Sequence, residues 1–235
     1  MASMTNFSWR VLVLAVMLAP FASADAQAWG FKPQASKPER LVIGLDLSQS
    51  NPLVRDKIYA AKVAARVKAM ILPLGPRSEV KVRSFGVYAT SANILMVDQV
   101  ISLRSTPDKV AKGVETLIAN LPKLVAQGKL KAQPTTNILS FMDNMGHVVD
   151  CDSMPTHFVL LTDGVEDSEY ARLRHKTQKL PPRTRPLSGD GCASLLILGL
   201  GQGLNSPSET ERLRKIWAEW ASSAGFARFN GLNDW

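Results

Sequence analysis

The sequence predicts an α/β domain with a doubly wound, mostly parallel central sheet and helices on both faces. Short segments such as 41–45, 158–161 and 194–198 are almost entirely apolar, as expected for strands that are buried on both faces. Segments with helical spacing of apolar residues separate them, and this alternation is typical of parallel sheets. Ligands of such sheets bind at the carboxyl ends of the strands, which makes the residues after each strand the first candidates for a site.

Six segments are predicted to be strands, because they are short and are either apolar or alternate apolar with polar residues. They lie at 41–45, 80–85, 94–103, 158–161, 194–198 and 226–229. The segment 94–103 is open to one strand or two, since Asp98 and Gln99 interrupt its apolar run.

Five segments between the strands are predicted to be helices. They lie at 51–72, 105–122, 135–145, 169–179 and 206–220. Proline in the first turn and capping residues mark the starts at Asn51-Pro52, at Ser105-Thr106-Pro107-Asp108 and at Ser206-Pro207-Ser208-Glu209. Pro122 is expected to end or kink the second helix. The segment 169–179 differs from the others because it is strongly basic.

Residues 1–24 are predicted to be a signal peptide. Arg10 is the only charged residue before Asp25, and the apolar core 11–22 is shorter than the ~20 residues that a membrane-spanning helix needs. Ala22-Ser23-Ala24 fits a cleavage site, although the cut is open by a few residues. An uncleaved membrane anchor is the alternative. We expect export, to the periplasm in a Gram-negative host and otherwise to the outside of the cell.

Residues 25–39 are predicted to be a lead segment and 40–235 a single domain. No segment after the signal peptide is apolar enough to span a membrane, so none is expected in the mature chain. The chain has 28 Lys and Arg against 20 Asp and Glu, and loss of Arg10 leaves an excess of seven basic residues. This charge is compatible with an anionic partner, with a membrane surface, or with no specific partner.

The two cysteines, Cys151 and Cys192, are predicted to form a disulfide. An even number of cysteines in an oxidising compartment favours a bond. Each cysteine precedes a predicted strand, so neighbouring parallel strands would bring both to the same edge of the sheet. Two buried free thiols are the alternative.

The clearest candidate site follows the first strand, where Asp46, Ser48 and Ser50 form the pattern Asp-x-Ser-x-Ser. Their hard oxygen atoms suit Mg²⁺, Mn²⁺ or Ca²⁺ better than zinc or copper. A helix cap is the alternative explanation of so short a pattern. Asp163 also follows a predicted strand, and Thr136 lies in a loop before a helix that can approach the same edge.

Together these residues resemble the three-part motif of von Willebrand factor A domains that carry a metal-ion-dependent adhesion site. Asp46, Ser48 and Ser50 match the first loop of that family, Thr136 matches the threonine of its second loop, and Asp163 matches the aspartate of its third. Three motifs in the right order, within alternating strands and helices, are far more specific than any one of them.

The resemblance covers roughly residues 40–232. The sequence departs from the family pattern at one point. The family often has glycine before its threonine, whereas this chain has Pro134-Thr135-Thr136. Thr136 is preferred because it leads directly into the predicted helix, and Thr135 remains the alternative. A helix cap is again an alternative role for the threonine.

The resemblance implies a divalent-cation site, most simply for Mg²⁺, with Mn²⁺ or Ca²⁺ as alternatives. The three hydroxyls would bind the ion directly and the two aspartates would hold its waters. An open coordination position would accept an acidic side chain of a partner protein. The implied function is therefore an exported, metal-dependent protein-binding module, an adhesion or assembly component, rather than an enzyme.

The residues are also compatible with two other functions. A metal-dependent enzyme, such as a hydrolase of a phosphate or carboxylate substrate, would have to use Glu166 and Asp167 beside the motif. A scaffold could bind an anionic polymer through a basic run. That run is a candidate anionic docking surface, with an ordinary solvated face as its alternative, and it contains Arg172, Arg174, Lys176, Lys179, Arg183 and Arg185. Nucleic acid is not expected as a partner, because only Tyr170 supplies an aromatic side chain near these residues.

Overall fold

A computed structural model of the chain describes residues 37–88, 93–204 and 206–234. The predicted signal peptide, residues 1–24, and residues 25–36 of the lead segment lie outside these ranges. Within the ranges described, the helices are too short or too polar for any of them to cross a membrane.

One sheet of six strands forms the centre of the described domain. The strands are β1 Arg40–Asp46, β2 Glu79–Phe85, β3 Met96–Val100, β4 Thr156–Leu161, β5 Ser194–Leu198 and β6 Phe229–Leu232. Their order across the sheet is β3-β2-β1-β4-β5-β6. All neighbouring pairs are parallel except β2 and β3, which are antiparallel. The predicted doubly wound, mostly parallel sheet is therefore confirmed, and the strand order reverses between β1 and β4.

The helices are α1 Lys57–Ile71, α2 Pro107–Ala119, α3 Leu121–Ala126, α4 Ile138–Val148 and α5 Pro207–Ser223, with a 3₁₀ turn at Pro52–Val54. Helices α4 and α5 cover one face of the sheet, where Val42 and Phe158 pack with Met142 and Trp217. On the other face, Val97 of β3 lines a groove with residues of α2, and α1 packs against α2. Both faces of the sheet are thus covered, which explains why β1 and β4 are buried throughout.

Some predicted elements differ from the structure. The predicted helix 51–72 is divided into the 3₁₀ turn and α1, and the short helix α3 follows the predicted end of the second helix. Segment 169–179 is not a helix but a series of turns, because Ser168 bonds back to Ala171 and the chain reverses there. Of the two possibilities left open for segment 94–103, the structure has the single strand, β3, since Asp98 continues it on the face where Lys81 and Arg83 can neutralise its charge. The last strand begins at 229 rather than 226.

Cys151 and Cys192 form the predicted disulfide, with Cα atoms 5.2 Å apart. Cys151 precedes β4 and Cys192 precedes β5, so the bond lies at the amino end of two neighbouring parallel strands. This edge is opposite to the one at which Asp46 ends β1. The disulfide therefore stabilises the domain without contributing to the candidate site.

Candidate metal site

The two aspartates of the candidate site lie at the same edge of the sheet. Strand β1 ends at Asp46, and its neighbour β4 ends at Leu161, two residues before Asp163. The side-chain amide of Asn51 donates to the backbone carbonyls of Asp46 (3.0 Å) and Leu161 (2.9 Å), and so joins the two strand ends. The aspartates therefore flank the point where the strand order reverses, which is the usual ligand-binding position in this type of sheet.

Both carboxylate oxygens of Asp46 are held by hydrogen bonds. The backbone N–H of Ser48 donates to Oδ1 (2.8 Å), and the Thr162 hydroxyl donates to Oδ2 (2.6 Å). Asp46 has no exposed surface. These contacts fix the orientation of the carboxylate, and Thr162 is a site residue that the sequence motifs did not indicate.

Ser50 connects the first loop to the third. Its hydroxyl lies 3.2 Å from the Ser48 hydroxyl. Burial raises the pKa of Asp163, and the Ser50 hydroxyl is one of the nearby donors that lower it again. The backbone N–H of Val165 donates to Oδ1 of the Asp163 carboxylate (2.9 Å). Asp46, Ser48, Ser50 and Asp163 therefore lie close together at this edge.

Thr136 lies between two loops of the motif: the first loop, which follows β1, and the third loop, which follows β4. The N–H of Gln49 donates to the carbonyl of Gln133 (2.8 Å), so residues 133–136 run alongside the first loop. The carbonyl of Thr136 accepts from the N–H of Asp167 (2.9 Å), which ties the same segment to the third loop. Thr136 is buried at 2% exposure, whereas Thr135 is half-buried. This placement favours Thr136 over Thr135 as the threonine of the site.

Glu166 ties the third loop to the start of α4. Its buried carboxylate accepts from the backbone N–H groups of Ile138 (2.8 Å) and Leu139 (3.3 Å), and the Ser168 hydroxyl donates to its second oxygen (2.6 Å). An acid is favoured at this position because unpaired N–H groups and the helix dipole both attract negative charge. Burial nevertheless raises the pKa of Glu166 to about 8.

The electrostatics of the site disfavour two ionised aspartates. Burial raises the pKa of both Asp46 and Asp163, and the charge of Asp163 raises that of Asp46 further. The hydroxyl of Tyr59, on α1, is affected too, because burial and then the charges of these acids raise its pKa. Two buried acids of like charge are costly unless a cation lies beside them.

The donor set at this edge fits a hard divalent cation. Serine and threonine hydroxyls with two carboxylates provide oxygen ligands only, and a cation would neutralise the excess negative charge of the buried acids. Within the residues described, no three His, Cys, Asp or Glu side chains cluster so that they could hold a metal. A cation at this edge would therefore depend on hydroxyl ligands as well as on the acids.

Of the six Lys and Arg residues of 172–185, half form salt bridges with other described residues and half do not. Three pair with acids: Arg172 with Asp167, Lys176 with Glu209, and Arg183 with Asp143. The other three form no salt bridge within the described part of the chain, and these are Arg174, Lys179 and Arg185. Pairing therefore neutralises half of the run.

The basic run also does not form one continuous surface. Lys176 and Lys179 line a groove beside α5, whereas Arg183 and Arg185 line a different groove beside α4. The predicted docking residues are thus distributed over separate parts of the domain.

Comparisons with known proteins assign no family to the chain: no family model matches it, and a search of curated proteins finds no match. The fold is that of a doubly wound α/β domain, with a group of acidic and hydroxyl side chains at the switch point of its sheet. Its function has to be argued from that site.

Proposed function

We propose that this chain is a metal-dependent protein-binding module of the von Willebrand factor A type. The observation that supports it best is that Asp46, Ser48, Ser50 and Asp163 lie close together at the switch point, with Thr136 buried nearby. These are the residues that match the adhesion-site motif, and they come from three segments that lie far apart in the sequence.

Each residue of the group has a role in this proposal. The hydroxyls of Ser48, Ser50 and Thr136 would bind Mg²⁺ or a similar ion directly, while Asp46 and Asp163 would hold its waters. When bound, the cation supplies an electrophilic position that accepts a carboxylate oxygen of a partner protein. The hydrogen bonds of Thr162 and Ser48 to Asp46 keep the ligands oriented without a partner.

A binding role agrees better with the neighbouring acids than hydrolysis does. Hydrolysis would need a base near the metal, and Glu166 and Asp167 are the nearest candidates in the sequence. All the hydrogen bonds of the Glu166 carboxylate serve α4 and Ser168. The Asp167 carboxylate lies 3.9 Å from Arg172, on the exposed side of the loop.

We further propose that the protein acts outside the cytoplasm. The disulfide between Cys151 and Cys192 supports this location, because such bonds persist mainly in oxidising compartments. The predicted signal peptide provides the route of export.

Affinity capture from a native envelope extract tests the proposed function. Wild type, Asp163→Asn and Asp167→Asn are used as baits in Mg²⁺ and in EDTA. We expect a partner that wild type and Asp167→Asn retain in Mg²⁺, and that is lost in EDTA and with Asp163→Asn. The same set of captured proteins under all conditions and with all baits would contradict the proposal.

A further inference from the structure

Arg212 of α5 is hydrogen-bonded to the turn segment that follows the third loop. Its Nη2 donates to the backbone carbonyl of Leu173 (2.7 Å), and the N–H of Leu173 donates to the carbonyl of Glu166 (2.9 Å). The side chain of Leu173 is fully buried. The guanidinium of Arg212 is therefore fixed beside a part of the chain that tertiary contacts keep in place.

The other nitrogen atoms of this guanidinium are buried without an acceptor. Nε and Nη1 of Arg212 are enclosed, and among the described residues no acceptor lies within hydrogen-bonding distance of either atom. A guanidinium keeps its charge at all ordinary pH values, and buried N–H groups that lack an acceptor are costly. Arg212 is thus a cation whose hydrogen-bonding capacity the described part of the chain does not satisfy.

Arg212 lines a groove between α5 and residues 176–179, which we call the α5 groove. Arg212, Lys215 and Glu219 line it from successive turns on one side of α5, and Lys179 lines it from the segment opposite. Its volume of about 470 Å³ is within the range of small-molecule sites. The α5 groove is therefore large enough for a ligand bigger than a single inorganic ion.

The lining of the α5 groove has an excess of positive charge. Lys179 and Lys215 are exposed and, like Arg212, form no salt bridge within the residues described. Of the two acids in the lining, Glu211 pairs with the arginine three positions after it, whereas Glu219 forms no salt bridge within the same residues. Three unpaired cations against one unpaired acid favour an anionic ligand.

We propose that the α5 groove binds the phosphate group of a small soluble phosphate monoester. The phosphate oxygens would accept from Nε or Nη1 of Arg212, while Lys179 and Lys215 would contribute charge from the two walls. A phosphate monoester carries up to about two negative charges and three strong acceptor oxygens, so it suits several cationic donors better than a carboxylate does. Exposed lysine side chains change rotamer rapidly, which would give the ligand access to the enclosed guanidinium.

A small ligand fits this arrangement better than an anionic membrane does. Binding to anionic lipid uses clusters of four to eight basic residues on one surface. Here the cation that lacks an acceptor is enclosed at its Nε and Nη1 atoms and lines a concave groove, where a flat surface would not reach it. The inference is independent of the proposed function, because none of the proposed metal-binding residues lines the α5 groove.

Phosphorus NMR titrations with glycerol phosphate test this inference. They are carried out in EDTA, so that phosphate cannot bind to a divalent cation at the switch point. We expect Arg212→Gln to weaken binding about tenfold or more, which is the range for hydrogen bonds to charged groups. Lys215→Gln should weaken it about two- to five-fold, as expected for an exposed charge. The matched control is Lys112→Gln, an exposed lysine of α2 without a salt bridge within the described residues, and it should bind as wild type does.

Removal of the unpaired acid of the groove gives a test in the opposite direction. Glu219→Gln should tighten binding about two- to five-fold, because a carboxylate that repels the phosphate is lost. Circular dichroism shows whether Arg212→Gln is folded. If it is not, Lys215→Gln and Glu219→Gln decide the question, since both positions are exposed.

Three results would overturn the inference. Wild-type affinity in folded Arg212→Gln would mean that the enclosed guanidinium is not part of a site. Equal losses with Lys215→Gln and Lys112→Gln would indicate general attraction by a basic protein. Binding to phosphatidylglycerol vesicles without any binding of glycerol phosphate would favour a membrane. A wild type that binds glycerol phosphate in EDTA but is not stabilised by Mg²⁺ would support this inference and contradict the proposed metal site alone.

Discussion

Replacement of Asp46 by Asn should remove metal-dependent stabilisation while leaving the fold intact. The amide keeps one carbonyl oxygen that can accept from the N–H of Ser48, and the Thr162 hydroxyl can turn to meet its other atom. The variant loses the negative charge that would hold a cation and its waters. Asp163→Asn should behave in the same way, because its carbonyl can still accept from the N–H of Val165.

The size of the effect follows from ligand linkage. A cation at ~100 times its dissociation constant adds about 2.7 kcal/mol to the stability of a folded protein. For a domain of roughly 200 residues, each kcal/mol raises the melting temperature by about 2–4 °C. Wild type should therefore melt about 5–11 °C higher with saturating Mg²⁺ or Mn²⁺. Without metal, both variants should be at least as stable as wild type, because one of two buried like charges is gone.

Thermal unfolding followed by circular dichroism, in EDTA and over a series of Mg²⁺ concentrations, measures these shifts. Asp167→Asn is the control, since it removes an acid of the same loop that is partly exposed. It should retain the full shift of wild type. Equal metal stabilisation of wild type, Asp46→Asn and Asp163→Asn would mean that the cation binds elsewhere, and the proposed metal site would be wrong.

Three further predictions concern the second loop, the disulfide and the buried acid near α4. Thr136→Val should lose most metal stabilisation and Thr135→Val should keep it in the same melting assay; the reverse result would move the ligand to Thr135. Reduction of the bond between Cys151 and Cys192, which are 41 residues apart, should lower the free energy of unfolding by about 4 kcal/mol in urea titrations with and without dithiothreitol. An unchanged urea midpoint would contradict this. Because the pKa of Glu166 is raised from 4.5 to about 8, the folded state holds its proton longer than the unfolded state does. Stability in EDTA should therefore fall as the pH rises from about 4.5 to about 8, and Glu166→Gln should make that fall shallower; equal slopes would contradict the assignment.

The sequence predicts the sheet and the backbone of the site because both depend on local patterns. Continuous apolar runs identify the buried strands β1 and β4, and the rule that parallel strands share an edge then brings Asp46 and Asp163 together. The same rule, applied at the amino ends, brings Cys151 and Cys192 within bonding distance. None of these steps requires knowledge of side-chain packing.

The remaining site residues depend on contacts that a local pattern does not contain. Thr162 donates to an acid 116 positions earlier, and Glu166 accepts from the start of a helix 28 positions earlier. Tyr59 looks like an ordinary residue of α1 until the fold places its hydroxyl near the two aspartates. The helix predicted at 169–179 is wrong because the sequence pattern does not contain these long-range contacts either. The composition of the segment permits a helix, but backbone bonds between its start and the third loop reverse the chain instead.

The arrangement of charges gives a physical reason why the proposed site would bind a metal ion that can exchange. Asp46 and Asp163 are buried at the switch point of the sheet, where neutral side chains would cost less free energy to bury. Without a metal, these buried acids therefore favour binding of a cation. Hydroxyls add no charge of their own, which leaves a bound divalent ion incompletely neutralised by its ligands. The charges of Arg174 and Arg55 lower the pKa of Asp163 against the larger effect of burial. In the proposed function, a cation at this edge would therefore bind most tightly when an acidic side chain of a partner completes its coordination.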